Sequence, residues 1–173
     1  MAFETLTSDT VYRGRVFSVR ADRVRLPGGR ETRLDIIDHA NSVVVIPLDD
    51  RGDILFVRQY RHAARRELLE LPAGTLNASE DPLLCAGREL REETGQAARE
   101  LTVIGGFFLA PGYSTEYMHV FRAENLHSDP LPGDEDEILS LERLSSTESR
   151  RMLAVGSFED AKTVAALAMF FAR

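Results

Sequence analysis

The segment Gly74 to Gly95, GTLNASEDPLLCAGRELREETG, constrains this chain more than any other. Its second half reads as a helix from Pro82 to Thr94. Asp81 can accept from the free amides of the first turn, and proline is tolerated there. That helix carries Glu89, Glu92 and Glu93, and like charges so close repel unless something positive sits among them. At about 100° per residue, with Glu89 at zero, Glu93 falls at about +40° and Glu92 at about −60°. Leu83, Gly87, Leu90 and Thr94 gather between about +100° and +160°. One side is therefore expected to pack while the neighbouring side carries the three carboxylates. Two readings are open at this point: a solvated acidic face with Arg88 and Arg91 as neighbours, or oxygen ligands for a hard divalent cation. Cys85, at about −40° on the same wheel, reads as a small filler whose pKa the carboxylates raise, not as a reactive thiol.

Most of the remaining sequence predicts strands. VFSVRADRVRL, the turn PGG and TRLDII read as strand, turn and strand within residues 11–38. SVVVIPL (42–48) suits a central strand, and ILFVRQY (54–60) is expected to return as its hairpin partner after DDRGD. Further strands are expected at 101–109, 116–123 and 138–144. Two C-terminal helices follow, the first opened by a capping box of Ser145 and Glu148, the second carried by FEDAKTVAALAMFF. Strands outnumber helices without alternating with them, which predicts an α+β fold with a mixed sheet and helices on its faces. There is no repeat or linker, and 173 residues suit a single domain over 1–173. A net charge of −7 argues against nucleic acid as a partner. Cys85 is the only cysteine, which excludes an intrachain disulfide and a CxxC zinc site and fits a reducing compartment. MAFETLTSDT lacks the pattern of a signal peptide, and no apolar run approaches the length of a membrane span. The expectation is a soluble cytoplasmic protein with no membrane partner.

The flanks decide between the two readings of the helix. Leu71-Pro72-Ala73 leads into a glycine, five residues, a glutamate, seven residues, REL, one residue, EE, one residue and a glycine. The positions Gly74, Glu80, Arg88, Glu89, Leu90, Glu92, Glu93 and Gly95 resemble the Nudix box, the signature of hydrolases that act on a nucleoside diphosphate linked to another group. One position departs: the residue after the closing glycine is usually aliphatic and here is Gln96, which should alter loop packing and leave the chemistry intact. The resemblance implies an α/β/α sandwich in which residues 74–96 form a loop–helix–loop. It implies Glu89 and Glu93 as the main Mg²⁺ ligands, with Mn²⁺ as a substitute, Glu92 assisting and the Ala73 carbonyl as a backbone ligand. Arg88 would orient the carboxylates, and Glu80 would brace the loop.

Three features outside the box bear on the substrate. VRQYR carries Arg58 and Arg61, which are expected on the metal side as cationic donors to a diphosphate. LAPGYSTEYMHVF has Pro111 sixteen positions beyond Gly95, followed by Gly-Tyr-Ser-Thr-Glu. This resembles the ADP-ribose pyrophosphatase subfamily and makes Glu116 a residue for substrate or loop support. PGDEDEILSL (132–141) lies where that subfamily keeps a catalytic glutamate. Register against that pattern assigns Glu135 as general base and Glu137 as an additional metal or water ligand, and a small loop shift would exchange the two roles. By the same resemblance, the N-terminal antiparallel β region, residues 1–40, contributes to a homodimer. Tyr12, Arg15 and Phe17 could make contacts there, although edge-strand packing is the plainer reading. Glu70 could orient a metal-bound water. His39, His62, His119 and His127 have no metal-ligand spacing. The implied activity is Mg²⁺-dependent hydrolysis of ADP-ribose, a small nucleotide-sugar substrate, to AMP and ribose 5-phosphate. The rivals are the same chemistry on GDP-mannose, NADH or a diadenosine polyphosphate, an ADP-ribose sensor that does not cut, and a Ca²⁺-binding scaffold, which would leave the arginines and the box spacing unexplained.

Overall fold

The N-terminal sequence forms three antiparallel strands, β1 (Glu4–Arg13), β2 (Phe17–Arg25) and β3 (Glu31–His39). They belong to a computed structural model that describes residues 2–133 and 137–173. The chain divides into two units, and these strands with residues 108–117 make up the first. Strand structure begins at Glu4, seven residues before the start of the stretch read as strand from its apolar pattern, because β1 is polar and exposed along nearly its whole length. Inside this unit, residues 113–115 run beside β3. Ile37 N donates to Tyr113 O at 2.7 Å, and Thr115 N donates to Ile37 O at 3.0 Å.

The second unit, residues 42–107 and 118–173, holds β4 (Ser42–Pro47), β5 (Ile54–Arg61), β6 (Arg66–Glu70), β7 (Ala73–Thr75), α1 (Pro82–Thr94), β8 (Gln96–Phe108), β9 (Tyr117–Ser128), β10 (Leu139–Leu144), α2 (Ser146–Ala154) and α3 (Ala161–Phe171). The residues of β8 and β9 at 108 and 117 fall in the first unit. One sheet has the order β7-β4-β9-β8 and the other β10-β5-β6. Parallel pairing of β4 with β9 and antiparallel pairing with β7 make the first sheet mixed. All six residues of β4 are buried, and strand alternation explains why. Val43 and Val45 pack with Cys85, Ala86 and Leu90 of α1. Val44 and Ile46 face the other way, toward Phe56 of β5 and Ala166 and Leu167 of α3. The sheet thus lies between α1 on one side and α3 with the second sheet on the other. This is the expected α+β arrangement of helices on both faces.

Two local expectations are corrected. β5 does not pair with β4 as a hairpin; it pairs with β6 and β10, and only an isolated bridge between Leu48 and Ile54 joins the two runs. Both edges of β4 are already taken by β7 and β9. The capping box before α2 forms by half: Ser145 Oγ accepts from Glu148 N at 3.1 Å, while the Glu148 carboxylate is taken by Arg151 at 2.7 and 2.8 Å. No helix among the described residues is long and apolar enough to cross a membrane.

Candidate active site

The local chemistry that starts and stops α1 also places its acidic residues. Asp81 Oδ1 accepts from Leu83 N at 2.8 Å. Gly95 ends the helix in the left-handed conformation, φ 69°, and donates its amide to Arg91 O. The buried arc of the helix differs from the one the wheel suggested. Leu83 is exposed, whereas Cys85, Ala86, Glu89, Leu90 and Thr94 are buried. The packed side extends past the aliphatic residues to include Glu89. Gly74 makes this feasible: a Cβ at that position would overlap the Glu89 carboxylate, so only glycine allows the loop to lie against it.

Arg88 is the hub of the site. Its guanidinium grips Glu80 bidentately, at 2.9 and 3.0 Å. Its Nη1 donates to Glu89 at 2.7 Å and to Glu92 at 2.8 Å, and its Nη2 donates to Thr75 O at 3.3 Å. Glu80 also accepts from Asn77 N. Loop 75–80 is therefore fastened to the helix through one side chain. Glu80 is held down at about 2, chiefly by its hydrogen bonds from Arg88, and the Arg88 pKa is raised by the same bonds. Glu93 lies apart from this hub, its Oε2 accepting from Ala73 N at 3.1 Å.

Burial pushes Glu89 up to about 7, with Glu92 and Glu137 adding repulsion against the opposing pull of Arg88. Glu93 rises to about 8, again by burial first, then by Glu89 and Glu137. Glu137 thus lies within electrostatic reach of both. Glu135 falls at 134–136, outside the described residues. Cys85 is buried beside the site, and burial followed by Glu89 pushes its thiol up to about 12, which makes it an inert filler. Among the described residues, no three His, Cys, Asp or Glu side chains already converge as a cation cage; Glu89 and Glu92 lean on Arg88, and Glu93 on a backbone amide. The donor set nevertheless fits a hard divalent cation: neighbouring oxygen ligands, partly desolvated and short of positive charge.

The two arginines of β5 do not share a side. Strand alternation sends positions 58 and 61 to opposite faces, which corrects the expectation that both lie on the metal side. Arg58 pairs with Glu142 of β10 at 2.6 and 3.1 Å. Arg61 pairs bidentately with Glu70 at 2.8 and 2.6 Å, and its charge also interacts with Glu93. Glu116 belongs to the first unit, where its carboxylate lies 3.9 Å from His39 Nδ1. Asp160, Lys162 and Thr163, at the start of α3, were missed from sequence. Lys162 bonds to Glu70. It is the only charged residue in AKTVAALAMFF, and a lone lysine in so apolar a helix was the available signal.

Comparison with known proteins fits this geometry. The NUDIX domain family matches residues 38–167, and the nucleoside diphosphate sugar hydrolase N-terminal domain matches residues 3–33. The chain is 34% identical over 166 residues to an ADP-ribose pyrophosphatase of Bacillus subtilis (strain 168), spanning 95% of this chain and 90% of that one. It is 43% identical over 131 residues to an ADP-ribose pyrophosphatase of Mycobacterium tuberculosis (strain ATCC 25618 / H37Rv), spanning 75% of this chain and 63% of that one. A crystal structure described as an ADP compounds hydrolase superposes with a TM-score of 0.88 at 26% identity, covering 98% of this chain and 92% of that one. With box, fold and relatives in agreement, this chain belongs to the NUDIX family and is an enzyme of its nucleoside diphosphate sugar hydrolase branch.

Proposed function

We propose that this enzyme hydrolyses the diphosphate of ADP-ribose to AMP and ribose 5-phosphate with Mg²⁺ as its cofactor. The observation that carries the reading is the set of carboxylates Glu89, Glu92 and Glu93 on α1, with Glu89 against Gly74 and Glu93 on the Ala73 amide. The choice of ADP-ribose is supported by relatives named ADP-ribose pyrophosphatase and by the string from Pro111 to Glu116. Glu89, Glu93, the Ala73 carbonyl and Glu137 would hold the cation, with Glu92 assisting. Bound Mg²⁺, or Mn²⁺ in its place, supplies neutralisation of the diphosphate charge and a more acidic water.

The chain's own groups do the rest. Arg88 fixes the orientation of Glu89 and Glu92. Arg61, 41% exposed at its side chain while gripping Glu70, presents its open edge to a phosphate. Arg58, paired with Glu142 on the opposite face, is left out of the phosphate contacts. Glu116 is assigned to substrate by resemblance. Glu135 takes a proton from the attacking water. The water's oxygen joins one phosphorus, and the P–O bond to the bridging oxygen breaks. The lone Cys85 suits a reducing cytoplasm. The exposed N-terminal sheet suits a homodimer.

The test is product analysis by chromatography, with and without Mg²⁺, on ADP-ribose beside GDP-mannose, NADH and diadenosine polyphosphates. AMP and ribose 5-phosphate appearing only with metal, fastest from ADP-ribose, is the expected result. Preferential cleavage of another panel member would retain the carboxylate site and discard ADP-ribose. Binding of ADP-ribose without cleavage of any panel member would make the protein a sensor. Glu93→Gln should keep the fold and lose most of kcat; unchanged turnover would sink the ligand assignment.

A further inference from the structure

Behind the site lies a buried ionic cluster that the carboxylate helix does not account for. Glu70 closes β6 with its side chain 1% exposed. Arg61 grips it bidentately, and Lys162 Nζ donates to the same carboxylate. Lys162 also donates to Asp160 at 2.9 Å. Two carboxylates thus face two cations, the balance that buried charge requires. Asp160 in turn caps α3, accepting from Thr163 N at 3.0 Å and from Thr163 Oγ1 at 2.6 Å. The Thr163 hydroxyl gives its proton to Asp160 and accepts from Leu71 N at 2.8 Å.

Four consecutive residues entering the box are pinned by this arrangement. Glu70 is held by its side chain and Leu71 by its amide. Pro72 is held by its carbonyl, which accepts from Val45 N at 2.9 Å. Ala73 is held by its amide on Glu93 at 3.1 Å. Position 163 has to donate and accept at once. Valine can do neither, and serine can do both.

We propose that Thr163, seconded by Lys162, is a positioning residue for catalysis: from the start of α3 it fixes the Leu71–Ala73 backbone, and through it the aim of the Ala73 carbonyl and the Glu93 carboxylate at a divalent cation. The inference rests on the reading of Ala73, Glu89 and Glu93 as cation ligands. Groups that orient metal ligands without touching the metal commonly change its affinity or the activity by about 10-fold or more when removed.

The experiment compares the parent protein with Thr163→Val and Thr163→Ser. Circular dichroism reports the fold, electron paramagnetic resonance titration with Mn²⁺ alone reports metal affinity, and steady-state kinetics on ADP-ribose separate kcat from KM. Thr163→Val should stay folded, bind Mn²⁺ about 10-fold more weakly and lose kcat more than KM. Thr163→Ser should behave as the parent. A folded Thr163→Val with parent-like Mn²⁺ affinity and kcat overturns the proposal, as does a serine variant as impaired as the valine one. If Thr163→Val does not fold, Lys162→Met, which leaves Glu70 with Arg61, carries the test. Weakened Mn²⁺ binding supports the proposal, and parent-like binding overturns it. A parent that binds Mn²⁺ without cleaving ADP-ribose fails the proposed function while the Mn²⁺ comparison still decides the positioning role. A parent that takes up no Mn²⁺ overturns both.

Discussion

Glu89 and Glu93 are carboxylates placed where ionisation is costly, at about 7 and about 8 against an ordinary 4.5. In the metal-free protein, the folded state therefore holds protons that the unfolded chain releases near 4.5. Stability consequently falls as pH rises from there toward 8. A divalent cation reverses the preference, because it binds the ionised oxygens and displaces those protons. Titration calorimetry at pH 7 in buffers of different ionisation enthalpy should report net proton release on Mg²⁺ binding, and the apparent affinity should rise with pH up to about 8. Heats that do not depend on the buffer would mean that neither carboxylate receives the cation.

At the scale of elements, α1 and the loop before it act as one piece because Arg88 ties Glu80 to Glu89 and Glu92. Glu80 is depressed from 4.5 to about 2. Its stabilising contribution is complete above about 4.5 and is lost as pH falls through about 2. Thermal melts of the parent and Glu80→Gln should differ at pH 6 and converge toward pH 2; a gap independent of pH would remove the ion pair from the account. What could be read from sequence follows the same division. Asp81, Pro82, Gly95 and the glutamates of α1 act within a turn or two of the chain, so the helix, its ends and its acidic residues were legible. The strand character of β4 and β5 was also legible, but their partners were not. Pairing is decided by edges contributed by β7, β9, β6 and β10, far along the chain. The same distance hid Lys162 and Thr163, each 92 residues from the group it holds. The opposite faces of Arg58 and Arg61, by contrast, followed from their odd spacing on a strand.

At the scale of the whole molecule, the N-terminal unit buries Ala21, Asp22 and Val24 of β2 but leaves most of β1 exposed. β1 is exposed at nine of its ten positions, and Phe3, Val11, Tyr12, Phe17 and Leu34 are among the exposed large side chains there. A sheet in this condition needs a second layer, in keeping with the homodimer proposed for residues 1–40. Light scattering coupled to size exclusion should give twice the chain mass of 19.3 kDa, and Val11→Glu with Phe17→Glu should return it to the chain mass. A parent already at the chain mass would dismiss the dimer. In the second unit, β4 is covered by α1 on one face and by α3 on the other, and its edge amides bond to the chain at Pro72–Ala73. Among the described residues, the carboxylate site therefore rests on a strand that is also the centre of the unit. Its amides should exchange with deuterium only through global unfolding. The loop at 71–73 should exchange together with them, so that loosening the proposed site and unfolding the unit are the same event.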